Sequence, residues 1–406
     1  MFQEKFPEMI PERLAIKLTP DGERILKQQK HPWIFSESIR KINKEGKAGD
    51  IAIVFDLKSN AALGVGLFDP ESPIRIKMLH FGGGRVIDNA FFKEKISFAF
   101  SKREALLSTN TNSYRLIFGE NDGFPGFIAD VYADVLVVKL YSAIWLPFLK
   151  MILESLKDVS GCTCIVLRLS RNLQALPDLG LKDGEILYGD LKNEEVEFKE
   201  YGIRFLANVM KGHKTGFFLD HRANRKKVGE LSKNKRVLDV FSYAGGFSVH
   251  ALVNGAKDVT SVDISAQALE IAKINAGLNP FSGKHHTIAG DAFEVLKSFI
   301  EKKEVFDIVV IDPPSFAKAK NEIAAAKRKY AQLATLGAQL TAFKGMLVLA
   351  SCTSRVTTEE FYTINEEAFK LQHRKVSLID KTGHDIDHPV TFKEGSYLKC
   401  GYYQFD

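Results

Sequence analysis

The chain has 406 residues, of which 45% are hydrophobic and 26% charged, the balance of a globular protein with two or three domains rather than a disordered or fibrous chain. A net charge of +6 permits a polyanionic partner without requiring one. No apolar run reaches about 18 residues and no charged-then-apolar leader is present, and the four cysteines (Cys162, Cys164, Cys352, Cys400) fit neither a disulfide framework nor a C-x-x-C zinc site. The expectation is a cytoplasmic, reducing location with no membrane partner and no metal.

Residues 12–82 read as a small β-rich unit. Leu14–Leu18 alternates like a strand, Asp21–Gln29 suits a short helix, and Ile51–Asp56, Leu63–Phe68 and Ile74–Leu79 are strand-like. His31-Pro32-Trp33-Ile34-Phe35 reads as an aromatic turn flanked by Lys27, Lys30, Arg40 and Lys41. Interleaved basic and aromatic residues occur at nucleic-acid surfaces, but a plain core cluster is the simpler expectation. Gly82-Gly83-Gly84 marks a hinge.

Residues 85–195 read as a central α/β unit. Phe91, Phe92, Ile96, Phe100 and Leu107 recur at helical spacing over Asn89–Leu107, a stripe expected to be core. Tyr114–Phe118, Val135–Lys139 and Cys164–Leu169 are expected strands, Trp145–Leu156 a helix, and Gly119–Gly126 a turn-rich loop. Cys162 and Cys164 are expected to be packing cysteines. A hairpin-like stretch from Gly184 to Asn208 leads to Lys211-Gly212-His213-Lys214-Thr215-Gly216-Phe217-Phe218-Leu219-Asp220-His221-Arg222. Asp220 is expected to open a helix carrying Arg222, Arg225, Lys226 and Lys227, which reads as a functional lid.

Residues 196–406 read as a doubly wound α/β domain organised around Arg236–Gly255. Val237–Phe241 suits a buried parallel strand, a small-residue turn follows, and a helix from Phe247 stops at Gly255. The pattern D-x-F-x-Y-x-G-G lacks the G-x-G-x-x-G spacing that meets a pyrophosphate. Its glycines let the backbone approach a ligand, and Asp239 is placed to accept from an ammonium group. A second strand ends in Asp263, 24 residues after Asp239, where a ribose partner is expected. A third acid follows in Gly290-Asp291-Ala292-Phe293. Three acids on successive strand tips suit S-adenosylmethionine, with Asp220, Asp239, Phe241, Ser242, Tyr243, Gly245, Asp263, Ser265, Asp291, Ala292 and Asp312 as its candidate contacts.

Val305–Ile311 is a buried strand that leaves the sheet rigidly at Asp312-Pro313-Pro314-Ser315-Phe316, since proline cannot continue the ladder. The following helix carries Lys318, Lys320, Lys327, Arg328 and Lys329, a basic face suited to phosphates. The strand Gly345–Ala350 ends in Ser351-Cys352-Thr353-Ser354. Consecutive crossover strands lie side by side, so Asp312 and Cys352 are expected on neighbouring tips, about 5 Å apart.

With D-x-F-x-Y-x-G-G, VD, GD, DPPSF and SCTS in hand, the chain resembles the bacterial 23S ribosomal RNA cytosine-5 methyltransferases that carry an N-terminal PUA domain. The resemblance extends over nearly the whole chain, through RLAIKLTPDGERILKQQKHPWIFSESI, RLIFGENDGFPGFIADVYADVLVV, GHKTGFFLDHRANR and HPVTFKEGSYLKC. It implies a class I methyltransferase fold behind a PUA domain, transfer of a methyl group from S-adenosylmethionine to carbon 5 of a cytosine, and 23S rRNA or a large-subunit precursor as partner. A homodimer is compatible with it. RNA contacts are then expected from Lys318, Lys320, Lys327, Arg328, Lys329, Arg222 and Arg225.

Carbon 5 of cytosine becomes nucleophilic only after a thiolate adds to carbon 6. Cys352 is the candidate for that thiolate, with Asp312 as hydrogen-bonding partner near N3. Ser315 stands where related enzymes have a second cysteine. Methylation of a guanine nitrogen without a covalent intermediate is the alternative, with Cys352 a bystander. An RNA-binding protein with a relic cofactor site is disfavoured by the intact acids at 239, 263, 291 and 312.

Overall fold

The computed structural model of the chain describes residues 2, 6, 9–177, 179–317, 319–372 and 374–406. It divides into two compact units. One comprises Met1–Phe198, Ala207–Leu219 and Ile386–Phe392, the other Lys199–Leu206, Asp220–Asp385 and Lys393–Asp406.

The first unit holds two sheets, each with its own apolar cluster. Six strands run in the order Trp33–Phe35, Ile74–Phe81, Ala62–Phe68, Ile51–Phe55, Arg13–Leu18, Ile39–Ile42. Alternation puts Leu14, Ile16 and Leu18 on the inner face with Val54, Ile76 and Met78. The helix Pro20–Gln29 starts on Thr19, whose side chain accepts from Gly22 N, with Pro20 inside the first turn. Within the HPWIF stretch, Trp33–Phe35 is an edge strand rather than part of a turn. Trp33 Nε1 donates to Glu120 at 3.0 Å and its ring meets Phe392 edge-on at 5.3 Å.

The second sheet runs Glu185–Tyr188, Cys164–Leu169, Val135–Leu140, Phe127–Tyr132, Ser113–Phe118. Phe127–Tyr132 has no counterpart in the sequence reading. Helix Asn89–Ser101 packs Phe91, Phe92 and Ile96 into this core with Trp145. The expected helix to Leu107 breaks after Ser101, and Leu107 is exposed. Between Ser101 and the short helix Glu104–Leu107 the side chain of Arg103 turns inward. It is fully buried, and its guanidinium reaches Ala99 O, Arg115 O and the Asp122 carboxylate. The segment Ala207–Leu219 is fastened to this unit through Thr215, which donates to Asp130, and through Tyr132 OH, which accepts from Phe217 N.

The second unit is a three-layer α/β domain. Its elements are α1 (Arg222–Leu231), β1 (Arg236–Val240), α2 (Gly246–Val253), β2 (Asp258–Asp263), α3 (Ala266–Gly277), β3 (Lys284–Ala289), α4 (Ala292–Glu301), β4 (Phe306–Ile311), α5 (Ile323–Leu340), β5 (Thr341–Cys352), α6 (Thr358–Lys370), β6 (Val376–Thr382) and β7 (Leu398–Phe405). The sheet order is β3-β2-β1-β4-β5-β7-β6. The first five strands are parallel, and β7 is inserted antiparallel between β5 and β6. Buried runs such as Ile308–Ile311 and Leu347–Ala350 are apolar throughout because both faces of a parallel sheet are covered by helices. The order reverses between β1 and β4, and that switch point is where doubly wound folds bind ligands. Among the described residues no helix is long and apolar enough to cross a membrane.

Candidate active site

The turn leaving β1 has an unusual backbone. Phe241, Tyr243 and Gly245 have φ of 64°, 47° and 77°, alternating with residues outside the left-handed region. Two of these three are bulky L-residues, for which that conformation is strained. The end of β2 holds the strained turn: Ser242 N donates to Val262 O at 3.0 Å, and Tyr243 N donates to Asp263 Oδ2 at 2.9 Å. The two glycines act differently from expectation. A Cβ on Gly245 would lie 2.8 Å from Ala272 Cβ of α3, and one on Gly246 would lie 2.7 Å from Arg225 Cδ. They therefore admit neighbouring side chains of the fold, and Gly245 in addition supplies a positive φ.

Asp239 sits inside β1, not at its tip, and is buried. Its Oδ2 accepts from Ser248 N (3.0 Å) and Ser248 Oγ (2.7 Å), while the buried Oδ1 has no partner. Ser248 Oγ lies 2.6 Å from Ser261 Oγ, which lies 2.8 Å from His285 Nε2. Burial pushes the Asp239 carboxyl up to about 7 against the two bonds from Ser248, and the charges of Asp312 and Asp263 push the same way.

Asp263 is half-buried and has both oxygens engaged, Oδ2 by Tyr243 N and Oδ1 by Ser265 N. Ser265 caps α3 through Ala268 N, and Asp291 caps α4 through the amides of Phe293 and Glu294, with Ala292 buried as the first helical residue. Gly290 N donates to Asp263 O, so the Asp291 turn adjoins the end of β2.

Asp312 and Cys352 come together as expected. Strands β4 and β5 are paired, Asp312 N donates to Val240 O at 3.3 Å, and Cys352 Sγ lies 3.6 Å from Pro313 O. Among the described residues no cysteine is in a disulfide, and Cys352 is partly exposed where Cys162, Cys164 and Cys400 are buried. Burial pushes Cys162 and Cys164 up to about 11 and Cys400 up to about 12, holding those three in the thiol form. The strand β5 starts at Thr341, four residues before Gly345, because Phe306 already pairs with Thr341 before a register shift.

Two neighbours of this edge escaped the sequence reading. His221 is buried, with Nε2 3.4 Å from Asp312 Oδ1. Asn224 fixes its tautomer. Asn224 Oδ1 accepts from Thr382 Oγ1 (2.5 Å) and Tyr402 OH (3.0 Å), so its Nδ2 donates to His221 Nδ1, leaving the ring proton on Nε2 toward Asp312. Burial alone would hold His221 down, but the Asp312 carboxylate, with Asp220 further off, raises it. Asp220 itself accepts from Tyr397 OH at 2.8 Å. The second is Lys399, buried on β7 opposite Ser351. Only a HR pair and an LKC triplet stand at these places in the sequence, and neither spacing signals a site.

The basic candidates divide. Arg222 and Arg225 are corrected from RNA contacts to internal ion pairs. Arg222 is fully buried and bonds Asp385 at 2.9 Å, and Arg225 is buried against Glu200 at 2.8 and 2.5 Å. Their α1 side chains face inward because the helix lies under the glycine turn and alongside α2. Glu200 also accepts from His250 Nε2 at 2.9 Å. Burial would push Glu200 up, yet the Arg225 charge and these bonds bring it down to about 2. Lys320, Arg328 and Lys329 are exposed, Lys329 lying 4.9 Å from the Phe316 ring centroid. Lys327 is half-buried in an ion pair with Glu360 at 2.6 Å. Lys318 lies outside the described residues.

A family model described as S-adenosylmethionine-dependent methyltransferase matches residues 126–369, and one for a PUA-like domain matches residues 16–81. The chain belongs to the S-adenosylmethionine-dependent methyltransferase family. The methyltransferase is 41% identical over 401 residues to a ribosomal RNA large subunit methyltransferase of Deinococcus radiodurans, covering 97% of this chain and 98% of that one. It is 34% identical over 390 residues to ribosomal RNA large subunit methyltransferase I of Aliivibrio fischeri, covering 95% and 98%. A methyltransferase-like structure solved with SAH superposes with a TM-score of 0.80 at 21% identity, covering 97% of this chain and all of that one, a likeness of fold. The cofactor of the methyltransferase is S-adenosylmethionine, and the residues present fit a cationic ligand: Asp239, on a strand at the switch point of the sheet, keeps a buried carboxylate oxygen without a partner.

Replacing Arg225 by Ala strands the buried Glu200 carboxylate, so chemical denaturation is expected to show a loss of about 3–5 kcal/mol. The salt dependence of RNA binding should be the same for any folded fraction. A stable Arg225→Ala protein with a flattened salt slope returns Arg225 to RNA contact.

Proposed function

We propose that the protein methylates carbon 5 of a cytosine in 23S ribosomal RNA through a covalent bond from Cys352 to carbon 6. The relatives that support the RNA substrate cover 95–97% of the chain and are named large-subunit ribosomal RNA methyltransferases. A cytoplasmic location accords with that substrate. The single observation that supports the base and mechanism is the half-exposed Cys352 thiol 3.6 Å from Pro313 O, beside Asp312.

In this reading the cofactor rests on the turn Phe241–Gly245. Asp239 meets its ammonium group, Asp263 its ribose, and Asp291, Ala292 and Ser265 flank the base. Asp220, Ser242 and Asp312 close the same edge. When bound, S-adenosylmethionine supplies an electrophilic methyl carbon toward carbon 5. The Cys352 thiolate adds to carbon 6, the ring electrons moving toward N3; Asp312 takes up a proton from solvent and passes it to N3, and the Nε2–H of His221 bonds the carboxylate left behind. After carbon 5 gains its methyl group its proton passes to a water molecule, the released pair re-forms the carbon 5–carbon 6 double bond, the carbon 6–sulfur bond breaks with its pair returning to Cys352, and N3 gives its proton back through Asp312. Lys320, Arg328 and Lys329 are placed to meet RNA phosphates.

The Asp239 role has a pH signature. Only the ionised carboxyl attracts an ammonium group, and Asp239 ionises near 7. Calorimetry should show cofactor affinity rising roughly tenfold from about pH 5.5 to about pH 7, and Asp239→Asn should be weaker and flat over that range. The folded-state value lies above the usual carboxylate value of 3.8, so the buried charge costs stability that is fully felt above pH 7. Asp239→Asn should therefore raise the Tm of the cofactor-free protein at alkaline pH. A wild-type affinity independent of pH would remove Asp239 from ammonium recognition.

The covalent step is tested with ribosomal RNA carrying 5-fluorocytosine. Fluorine cannot leave as a proton does, so the thioether persists and a denaturation-stable protein–RNA band is expected. Cys352→Ser should lose nearly all turnover and the band while binding cofactor normally, a hydroxyl being a far weaker nucleophile than a thiolate. Active wild type without a band, together with a Ser variant that methylates at a near-normal rate, would overturn the cytosine-5 reading in favour of nitrogen methylation of a guanine.

A further inference from the structure

Cys352 needs a source of thiolate, since a free thiol ionises only near about 8.5 and is mostly protonated at neutral pH. Its surroundings include groups that work against ionisation. Asp312 follows the neighbouring strand β4, and Tyr330 of α5 receives the Ser351 hydroxyl at 2.9 Å. Negative charge at Asp312 disfavours a second anion beside it.

Lys399 works the other way. It stands on β7 across from Ser351, one position along from the Cys352–Leu398 pair, and is 3% exposed. Its Nζ donates to Thr353 O, to Val356 O at 2.7 Å and to Tyr397 O at 3.3 Å. Thr353 is the residue after Cys352, so the ammonium group is tied to the turn that the cysteine opens. Three carbonyl oxygens match the three ammonium protons, and no described carboxylate shares them. Carbonyl dipoles solvate the charge without cancelling it, so the ammonium group and Cys352 still feel each other's charge. Burial draws Lys399 down to about 8, while charge on Cys352 and on Glu360 of α6 holds it up, so the cation still dominates at neutral pH. Glu360 is itself paired with Lys327, and Arg355 of the same turn is exposed.

We propose that Lys399 is a positioning residue that activates Cys352: its buried ammonium group, anchored to the turn after the cysteine, stabilises the thiolate. The inference rests on Cys352 being the nucleophile, but its test does not need RNA. Alkylation of Cys352 by iodoacetamide is followed against pH on the full-length protein by peptide mass spectrometry. The wild-type inflection is expected below about 8.5. Lys399→Met should move it upward by about one unit, roughly tenfold slower alkylation at pH 7, with cofactor affinity as the control for folding. Lys399→Arg, which keeps the charge, should recover most of the rate. A wild-type inflection at or above the ordinary value overturns the proposal even if no variant folds, because a purely structural pin leaves the thiol ordinary. A Lys399→Met profile superposing on wild type overturns it as well. A lowered inflection without any fluorocytosine adduct keeps the Lys399 assignment and rejects the nucleophile. An adduct with an ordinary inflection does the reverse.

Discussion

A carboxyl group held out of water at the strand pair where the sheet order reverses is the constraint around which the catalytic unit is built. Asp239 is buried on β1 between β2 and β4, with one oxygen bonded twice to Ser248 and the other bonded to nothing. An ionised carboxylate in that state is costly unless a cation arrives. The polar line behind it has one direction when Asp239 is charged. Ser248 donates to the carboxylate, Ser261 to Ser248 and His285 to Ser261. Burial draws His285 down to about 4, so at neutral pH it is an uncharged donor and adds no competing cation. The need is left for the ligand side.

The strained turn above Asp239 stands because rigid parts surround it. Left-handed backbone at Phe241 and Tyr243 persists only where neighbours over-determine it. Here β2 supplies a carbonyl and a carboxylate to the turn amides, and α3 and Arg225 close against Gly245 and Gly246. Arg225 in turn is fixed by Glu200, which His250 also grips. The Arg225–Glu200 pair thus carries the turn's underside. Removing either member would leave a buried charge, while the pair together is close to neutral in its effect on stability.

The sheet was legible because buried parallel strands are short apolar runs and each ends in punctuation. Asp263, the Gly290-Asp291 pair, Asp312-Pro313 and Ser351-Cys352 all fall where the chain leaves β2, β3, β4 and β5. The adjacency of Asp312 and Cys352 followed from the handedness rule and the short crossover alone. What escaped the reading depends on partners far apart in sequence. Arg222 and Arg225 look like a solvated basic face until Asp385 and Glu200 are known to lie against them, 163 and 25 residues away. His221 gains meaning only from Asp312, and Lys399 only from the turn it anchors 43–46 residues earlier. The strand Phe127–Tyr132 begins directly after the glycines and proline of the Gly119–Gly126 loop, which mask its start.

The three acids nearest the turn are chemically alike and physically distinct. Asp263 has one backbone amide on each oxygen, which fixes the carboxylate as an acceptor and leaves it further lone pairs. Asp312 has a histidine at 3.4 Å whose tautomer is set by Asn224, so it faces a side-chain donor rather than an amide. Asp239 alone retains an unpaired oxygen, and the charges of the other two make its own ionisation harder. One aspartate is therefore suited to hydroxyls, one to a proton and one to a cation. The fold achieves this division by drawing each partner from a different element: the turn amide and α3 for Asp263, the start of α1 for Asp312, and α2 for Asp239.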